Sequence, residues 1–183
     1  MAMAVNVSAL ELRDESFLEN LFAILSETGL EPTSLVLELT ESVLMKHAEA
    51  AACILQTLRE KGLKIAIDDF GTGYSSLSYL RKFPVDALKV DQSFVRRIST
   101  AGGDAPIAAA VINMAQGLKL RAIAEGVETS EELAFLQAHD CDAAQGYYFS
   151  RPVPADQFAG LLKTGIPEPP GERSRDRRLR GHI

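Results

Sequence analysis

The sequence is poor in the residues that staple or metallate small domains. It has 2 cysteines and 3 histidines among 183 residues. Cys53 and Cys141 form no CxxC pair, and His47, His139 and His182 show no ligand spacing, so a disulfide framework and a zinc-knuckle site are both excluded. Each cysteine reads instead as a buried small hydrophobe, as a reducing cytosol permits. No apolar run approaches the roughly 20 residues of a membrane-spanning helix. The first residues also lack the basic segment and apolar core of a secretory leader. The expectation is a soluble, cytoplasmic chain. No Asn-Gly or related hairpin signal separates the apolar segments, which argues against an antiparallel meander. The glycines of Gly71-Thr72-Gly73 lack the spacing of either nucleotide-binding fingerprint, so this segment reads as a lid rather than a phosphate cradle.

What is present is an ordinary globular composition, 46% hydrophobic and 24% charged, enough for one domain with a real core. The net charge of −6 is unevenly spread. Five arginines against Glu172 and Asp176 make residues 172–183 +3, so residues 1–171 carry −9. An acidic body argues against DNA or RNA as a partner, and acidic groups facing a phosphate substrate require cations between them. Pro167, Pro169 and Pro170 end regular structure. Residues 166–183 therefore read as a Pro/Arg-rich disordered tail.

Apolar periodicity places short strands at Val5–Val7, Leu35–Leu39, Lys64–Ile67, Ala87–Val90, Leu120–Ala124 and Gln145–Phe149. Helices fall between them. One runs from Phe17 to a stop at Gly29, one over Ala48–Glu60, and a short one over Ser75–Arg81 ends before Pro84. Phe94–Ile98 begins another. A further helix opens near Pro106 and buries Ile107, Val111, Ile112, Met114 and Ala115. Thr129-Ser130-Glu131-Glu132 has the form of a capping box and starts the next, and Asp156–Lys163 is the last. The fold class is α/β: about six parallel strands with crossover helices, an incomplete TIM-type (β/α) barrel. A full eight-stranded barrel typically takes about 250 residues.

Polar groups recur at the ends of these strands. From Asn6 to Glu38, Asp68, Lys89, Glu125 and Gln145 the gaps are 32, 30, 21, 36 and 20 residues, close to the roughly 30 of one strand plus crossover helix. A parallel barrel gathers such groups at the carboxyl edge of its strands. An open doubly wound sheet would concentrate a site at one switch point instead. Ile67-Asp68-Asp69-Phe70-Gly71 sets two adjacent carboxylates after an apolar run. They suit divalent metal, with a solvated turn or helix cap as the alternative. Neighbouring strand residues face opposite sides, so both reach one cluster only where the strand breaks, and Gly71 and Gly73 supply the break. Glu38, inside Leu-Val-Leu-Glu-Leu, must face a cation, a metal or water, because an unpaired buried carboxylate is very costly. Asn6 offers an amide oxygen to a hard cation or simply makes a turn. Lys89 either polarises water and neutralises phosphate or forms a structural ion pair. Glu125 or Glu128 accepts a proton from attacking water, with an exposed loop acid as the alternative for Glu128.

Taken together, Val5-Asn6-Val7-Ser8, Glu38-Leu39-Thr40-Glu41-Ser42, Asp68-Asp69-Phe70-Gly71-Thr72-Gly73-Tyr74-Ser75-Ser76-Leu77, Lys89-Val90-Asp91, Ala124-Glu125-Gly126-Val127-Glu128-Thr129 and Gln145-Gly146-Tyr147-Tyr148-Phe149 resemble the EAL domain of bacterial cyclic-di-GMP phosphodiesterases. The resemblance runs from about Val5 to Leu162 and makes residues 1–165 an N-terminally truncated EAL domain. The family's first strand, and the second with its Glu-Ala-Leu signature, have no counterpart here. It implies a modified TIM-type barrel that uses two Mg²⁺ or Mn²⁺ ions to hydrolyse cyclic-di-GMP to linear pGpG. It also implies metal ligands at Asn6, Glu38, Asp68 and Asp69, with Asp68 bridging. Glu125 would be a metal-side carboxylate or general base, and Lys89 and Gln145 would orient the attacking water. Tyr147 and Gly146 would touch substrate, while Glu41 and Glu128 would anchor loops. Candidate partners are cyclic-di-GMP, a second copy of the chain, and an upstream sensory or diguanylate cyclase domain. The alternative is a catalytically inactive EAL-type module that binds cyclic-di-GMP or a protein.

Overall fold

The computed structural model describes residues 2–46, 48–73, 77–99 and 103–165. His47, His182, Tyr74 to Ser76 and the tail from 166 onward lie outside the described residues. Among the described residues the strands follow one another in the order β1 to β6, with none inserted out of sequence. They are β1 Met3–Asn6, β2 Leu35–Thr40, β3 Lys64–Phe70, β4 Ala87–Val90, β5 Arg121–Ala124 and β6 Ala143–Ala144. Helices separate them: α1 Ala9–Arg13, α2 Phe17–Thr28, α3 Glu41–Lys46, α4 Ala48–Glu60, α5 Leu77–Leu80, α6 Gln92–Val95, α7 Ala105–Gly117, α8 Ser130–Ala138 and α9 Ala155–Thr164. Sequential parallel strands joined by helices are the α/β arrangement that the apolar periodicity predicts.

The chain divides into two compact units. The first comprises Met1–Lys89 with Gly117–Leu120. In it β1, β2 and β3 pair in parallel, with Asn6 opposite Glu38 and Thr40 opposite Asp68. Residues 35, 37 and 39 of β2 are buried while 36, 38 and 40 are partly exposed. Because β-strand side chains alternate, one face of the strand carries leucines and the other Glu38 and Thr40. Leu37, Leu39, Ile65 and Ile67 are at most 2% exposed, each contributing about 1.5–3 kcal/mol by burial. Helix α4 adds Ala51, Leu55 and Leu58 to this core. Cys53 lies off that stripe and is exposed, which corrects the expectation that both cysteines are buried. Two positions after Ala51, it has rotated about 200° around the helix.

The second unit comprises Val90–Gln116 and Arg121–Ile183. Here β5 and β6 pair in parallel, Ile123 opposite Ala143 and Ala124 opposite Ala144. Helix α7 buries Ala108, Val111, Ile112 and Ala115, whereas Ile107 is 42% exposed. The predicted stripe is therefore off by one position at its start, and Met114 within it is only partly buried. The expected strand over Gln145–Phe149 is not there: β6 ends at Ala144 and the chain enters a turn. Val127 is the reason. Tyr148 N–H donates to Val127 O at 2.9 Å, and the N–H groups of Phe149 and Ser150 both fold back onto Gly146 O.

Each unit pins the start of a strand pair with an aspartate. Asp86 N–H donates to Ile65 O at 2.8 Å while its Oδ2 accepts from Ile65 N–H at 2.9 Å. Asp142 repeats this with Ala122, at 3.0 and 2.8 Å. The device fixes register at the amino ends of the strands and leaves their carboxyl ends free for chemistry.

Candidate active site

In the first unit, the register sets Asn6, Glu38 and Asp68 on one face, since paired residues of parallel strands point the same way and Asp68 is two beyond the Ala66 that faces Glu38. Lys89 reaches that face from β4. Its Nζ donates to Glu38 Oε2 at 2.6 Å and lies 3.1 Å from Asp68 Oδ1. The lysine side chain is 3% exposed and the two carboxylates 12% and 13%. One ammonium against two largely dehydrated carboxylates leaves an excess negative charge. The donors are all oxygens. An electronegative, oxygen-only set fits a hard divalent cation rather than a soft one.

Asp69 joins the cluster through its backbone. Its φ is +52°, a left-handed conformation uncommon for a non-glycine residue. Its N–H donates to Asp68 Oδ1 at 2.9 Å. The strand thus kinks at Asp69 and ends before Gly71, φ +95°. Gly73 takes no part in the break, which corrects the expectation from sequence. It lies against Glu41, where an added Cβ would stand 3.5 Å from Oε2, an ordinary van der Waals distance. Glu41 opens α3, is 3% exposed, and accepts from Gly71 N–H at 3.3 Å. Its other oxygen, Oε1, is buried with no hydrogen-bond partner among the described residues. A carboxylate held under the 69–73 loop in this way is suited to fix the turn that re-aims Asp69.

In the second unit, Glu125 follows β5 directly and its N–H donates to Val90 O at 3.2 Å. Gln145 follows β6, and its Nε2 donates to Glu125 Oε1 at 3.0 Å. This bond holds one carboxylate oxygen and leaves the group competent to accept a proton. A cavity of about 510 Å³ opens here, lined by Glu125, Gln145, Tyr147, Arg96, Arg151 and Phe158 among others. The Arg151 guanidinium lies 4.9 Å from the centre of the Tyr147 ring, a cation–π distance. Glu128 is exposed and pairs with Arg96 at 2.8 Å.

Sequence reasoning missed three participants in this unit. Arg96 carried no local signal. Gln92 underlies Gly126, where an added Cβ would stand 2.6 Å from Gln92 Cβ. Glu132 was visible only as half of a capping box. It is buried and accepts from Glu128 N–H at 2.7 Å and Thr129 N–H at 3.0 Å, so it holds the loop that follows Glu125. His139 stays with α8, stacked on Phe135. Cys141 is buried as expected, its thiol donating to the carbonyls of Ala122 and Ala143, and burial pushes its pKa up to about 11. No helix among the described residues is long and apolar enough to cross a membrane.

Comparison with known proteins places the chain in a family. A cyclic di-GMP phosphodiesterase of Pseudomonas aeruginosa, NbdA, is 48% identical over 163 residues, which is 89% of this chain and 21% of that protein. The P. aeruginosa MucR phosphodiesterase, solved in complex with c-di-GMP, superposes with a TM-score of 0.83 at 41% identity, covering 86% of this chain and 64% of that one. The Klebsiella pneumoniae BlrP1 complex with manganese and cyclic di-GMP gives 0.75 at 38% identity, covering 82% and 39%. The chain spans 20–28% of the length of the curated relatives it matches. The family model of the EAL domain matches residues 1–152, and the chain belongs to that family.

Proposed function

We propose that this chain is the catalytic portion of a metal-dependent phosphodiesterase that opens cyclic-di-GMP to linear pGpG. The Lys89–Glu38–Asp68 cluster carries the reading most strongly. A structural ion pair needs one carboxylate per ammonium, and a second carboxylate at 3.1 Å is costly unless more positive charge arrives. Asn6, Glu38, Asp68 and Asp69 would hold Mg²⁺ or Mn²⁺. Bound divalent cations supply Lewis-acid polarisation of water and neutralise the phosphate. Glu125, with Gln145 beside it, would accept the proton of attacking water, and Lys89, beside Glu38 and Asp68, would help to orient water. Water oxygen bonds to phosphorus, the bond from phosphorus to one ribose oxygen breaks, and that oxygen takes up a proton. Tyr147 belongs to the substrate-facing surface, Gly146 precedes it in the chain, and Glu41 and Glu128 steady the loops beside it.

The wider assembly follows the relatives. MucR is described as a bifunctional diguanylate cyclase and cyclic di-GMP phosphodiesterase, and a cyclase or sensory domain upstream, with a homodimer and a cytoplasmic setting, fits this chain as well. Chromatography of a cyclic-di-GMP incubation with Mn²⁺ tests the reaction. A linear dinucleotide with one terminal phosphate is expected. Tight retention of unaltered cyclic-di-GMP with no product, at any metal concentration, would replace the enzyme with the binding module.

A further inference from the structure

Two backbones touch at Gly146. A Cβ placed there would lie 2.2 Å from Val127 O and 2.3 Å from Val127 N. Both are main-chain atoms that cannot swing aside, and Val127 itself is fully buried. The approach permits a pair of hydrogen bonds that bracket the glycine: Val127 N–H donates to Gln145 O at 3.1 Å, and Tyr148 N–H donates to Val127 O at 2.9 Å. They tie the segment that follows β5 to the segment that follows β6.

Glu125 stands two residues before Val127, and Gln145 immediately precedes Gly146. The side-chain bond between them, 3.0 Å long, involves an exposed amide and a half-exposed carboxylate. Such a bond contributes little on its own, because water competes for both groups. What holds the pair is the main chain beneath it. Glu132 secures the far side of the same loop through its bonds to the Glu128 and Thr129 N–H groups.

We propose that Gly146 is a positioning residue for hydrolysis. By admitting Val127 it sets Gln145 against Glu125, so its contribution is made through that pair rather than through contact with substrate. The inference rests on the phosphodiesterase reading above and adds a residue whose effect must be coupled to Gln145.

The test is a cycle of Gly146→Ala, Gln145→Ala and the double variant, with hydrolysis and backbone amide exchange measured on each. Misplacing a reacting group by about 1 Å costs on the order of 10²-fold, so Gly146→Ala is expected to lose about that much kcat with KM little changed. In the Gln145→Ala background the same substitution is expected to cost no more than about twofold, because the two act as one unit. Full additivity, or an unchanged kcat in Gly146→Ala, overturns the proposal. Amide exchange decides the clamp independently of turnover. In the wild-type chain Val127 and Tyr148 N–H are expected to exchange as slowly as Gln145 N–H, which donates to Ala124 O at 2.9 Å. They are expected to exchange at least about tenfold faster in Gly146→Ala. Fast exchange in the wild type refutes the clamp even if the variant fails to fold. A wild-type chain with slow exchange at both amides but no hydrolysis would instead overturn the phosphodiesterase reading and, with it, the positioning role of Gly146.

Discussion

Lys89→Met removes the cation from the first-unit cluster while keeping most of the side-chain volume. Glu38 and Asp68, whose side chains are 12% and 13% exposed, then face each other without the ammonium that lay 2.6 and 3.1 Å away. Removing one member of a buried charge cluster typically costs about 3–5 kcal/mol. The residual exposure of both carboxylates places this site near the lower end, about 3 kcal/mol. For a chain of this size each kcal/mol shifts Tm by about 2–4 °C, so a fall of about 6–12 °C is expected in metal-free buffer. Mn²⁺ restores the missing positive charge, so adding it recovers more Tm in Lys89→Met than in the wild type. Calorimetry in chelator and in Mn²⁺ reads both effects. A variant within about 1 kcal/mol of wild type without metal would mean that the two carboxylates are already solvated, and the electrostatic argument for a cation site would fall.

Other outcomes follow from the same geometry. Asp68→Asn is expected to reduce turnover of cyclic-di-GMP by at least about 10²-fold, whereas Glu128→Gln, at an exposed pair with Arg96, stays within about threefold of wild type, since surface pairs contribute about 0–1 kcal/mol; equal losses would remove the special status of Asp68. Glu41→Ala is expected to raise the Mn²⁺ concentration needed for half-maximal activity while the circular dichroism spectrum is unchanged; an unchanged requirement would deny Glu41 its hold on the 69–73 loop. A thiol reagent at pH 8 is expected to label Cys53 and spare Cys141, whose pKa of about 11 keeps it protonated. The sign follows from burial: the thiolate is disfavoured in the fold, so Cys141 gains reactivity only as pH approaches that value or as the chain unfolds. Rapid labelling of both by mass spectrometry would contradict the packing of β5 against β6.

Much of this site was legible because strand ends announce themselves. Glu38 interrupts a leucine run, and Asp68 closes an apolar one, so their unfavourable burial pointed to charge compensation before any geometry was known. Helix α4 was legible residue for residue from alanine content and the Gly62 stop. The failures have local causes. Helix α1 escaped although Ser8-x-x-Glu11 has the same capping-box form as Thr129-x-x-Glu132, and both are satisfied in the structure. Its five residues are too few for periodicity to register. The false strand at Gln145–Phe149 arose because Tyr147, Tyr148 and Phe149 have high β-propensity. Tertiary hydrogen bonds from this segment to Val127 outweighed it. The left-handed Asp69 and the Gly146–Val127 approach depend on residues distant in sequence, which no single-segment pattern encodes.

If carboxylates at the ends of β2 and β3 hold the cations on which hydrolysis depends, turnover requires both the metal and these side chains. The most direct measurement is cyclic-di-GMP turnover by the chelator-stripped chain during re-addition of Mn²⁺, run beside Glu38→Gln and Asp68→Asn. Activity absent in chelator, restored by metal in the wild type and not restored in either variant is the predicted result. Hydrolysis that persists without metal, or recovers equally in both variants, would contradict it.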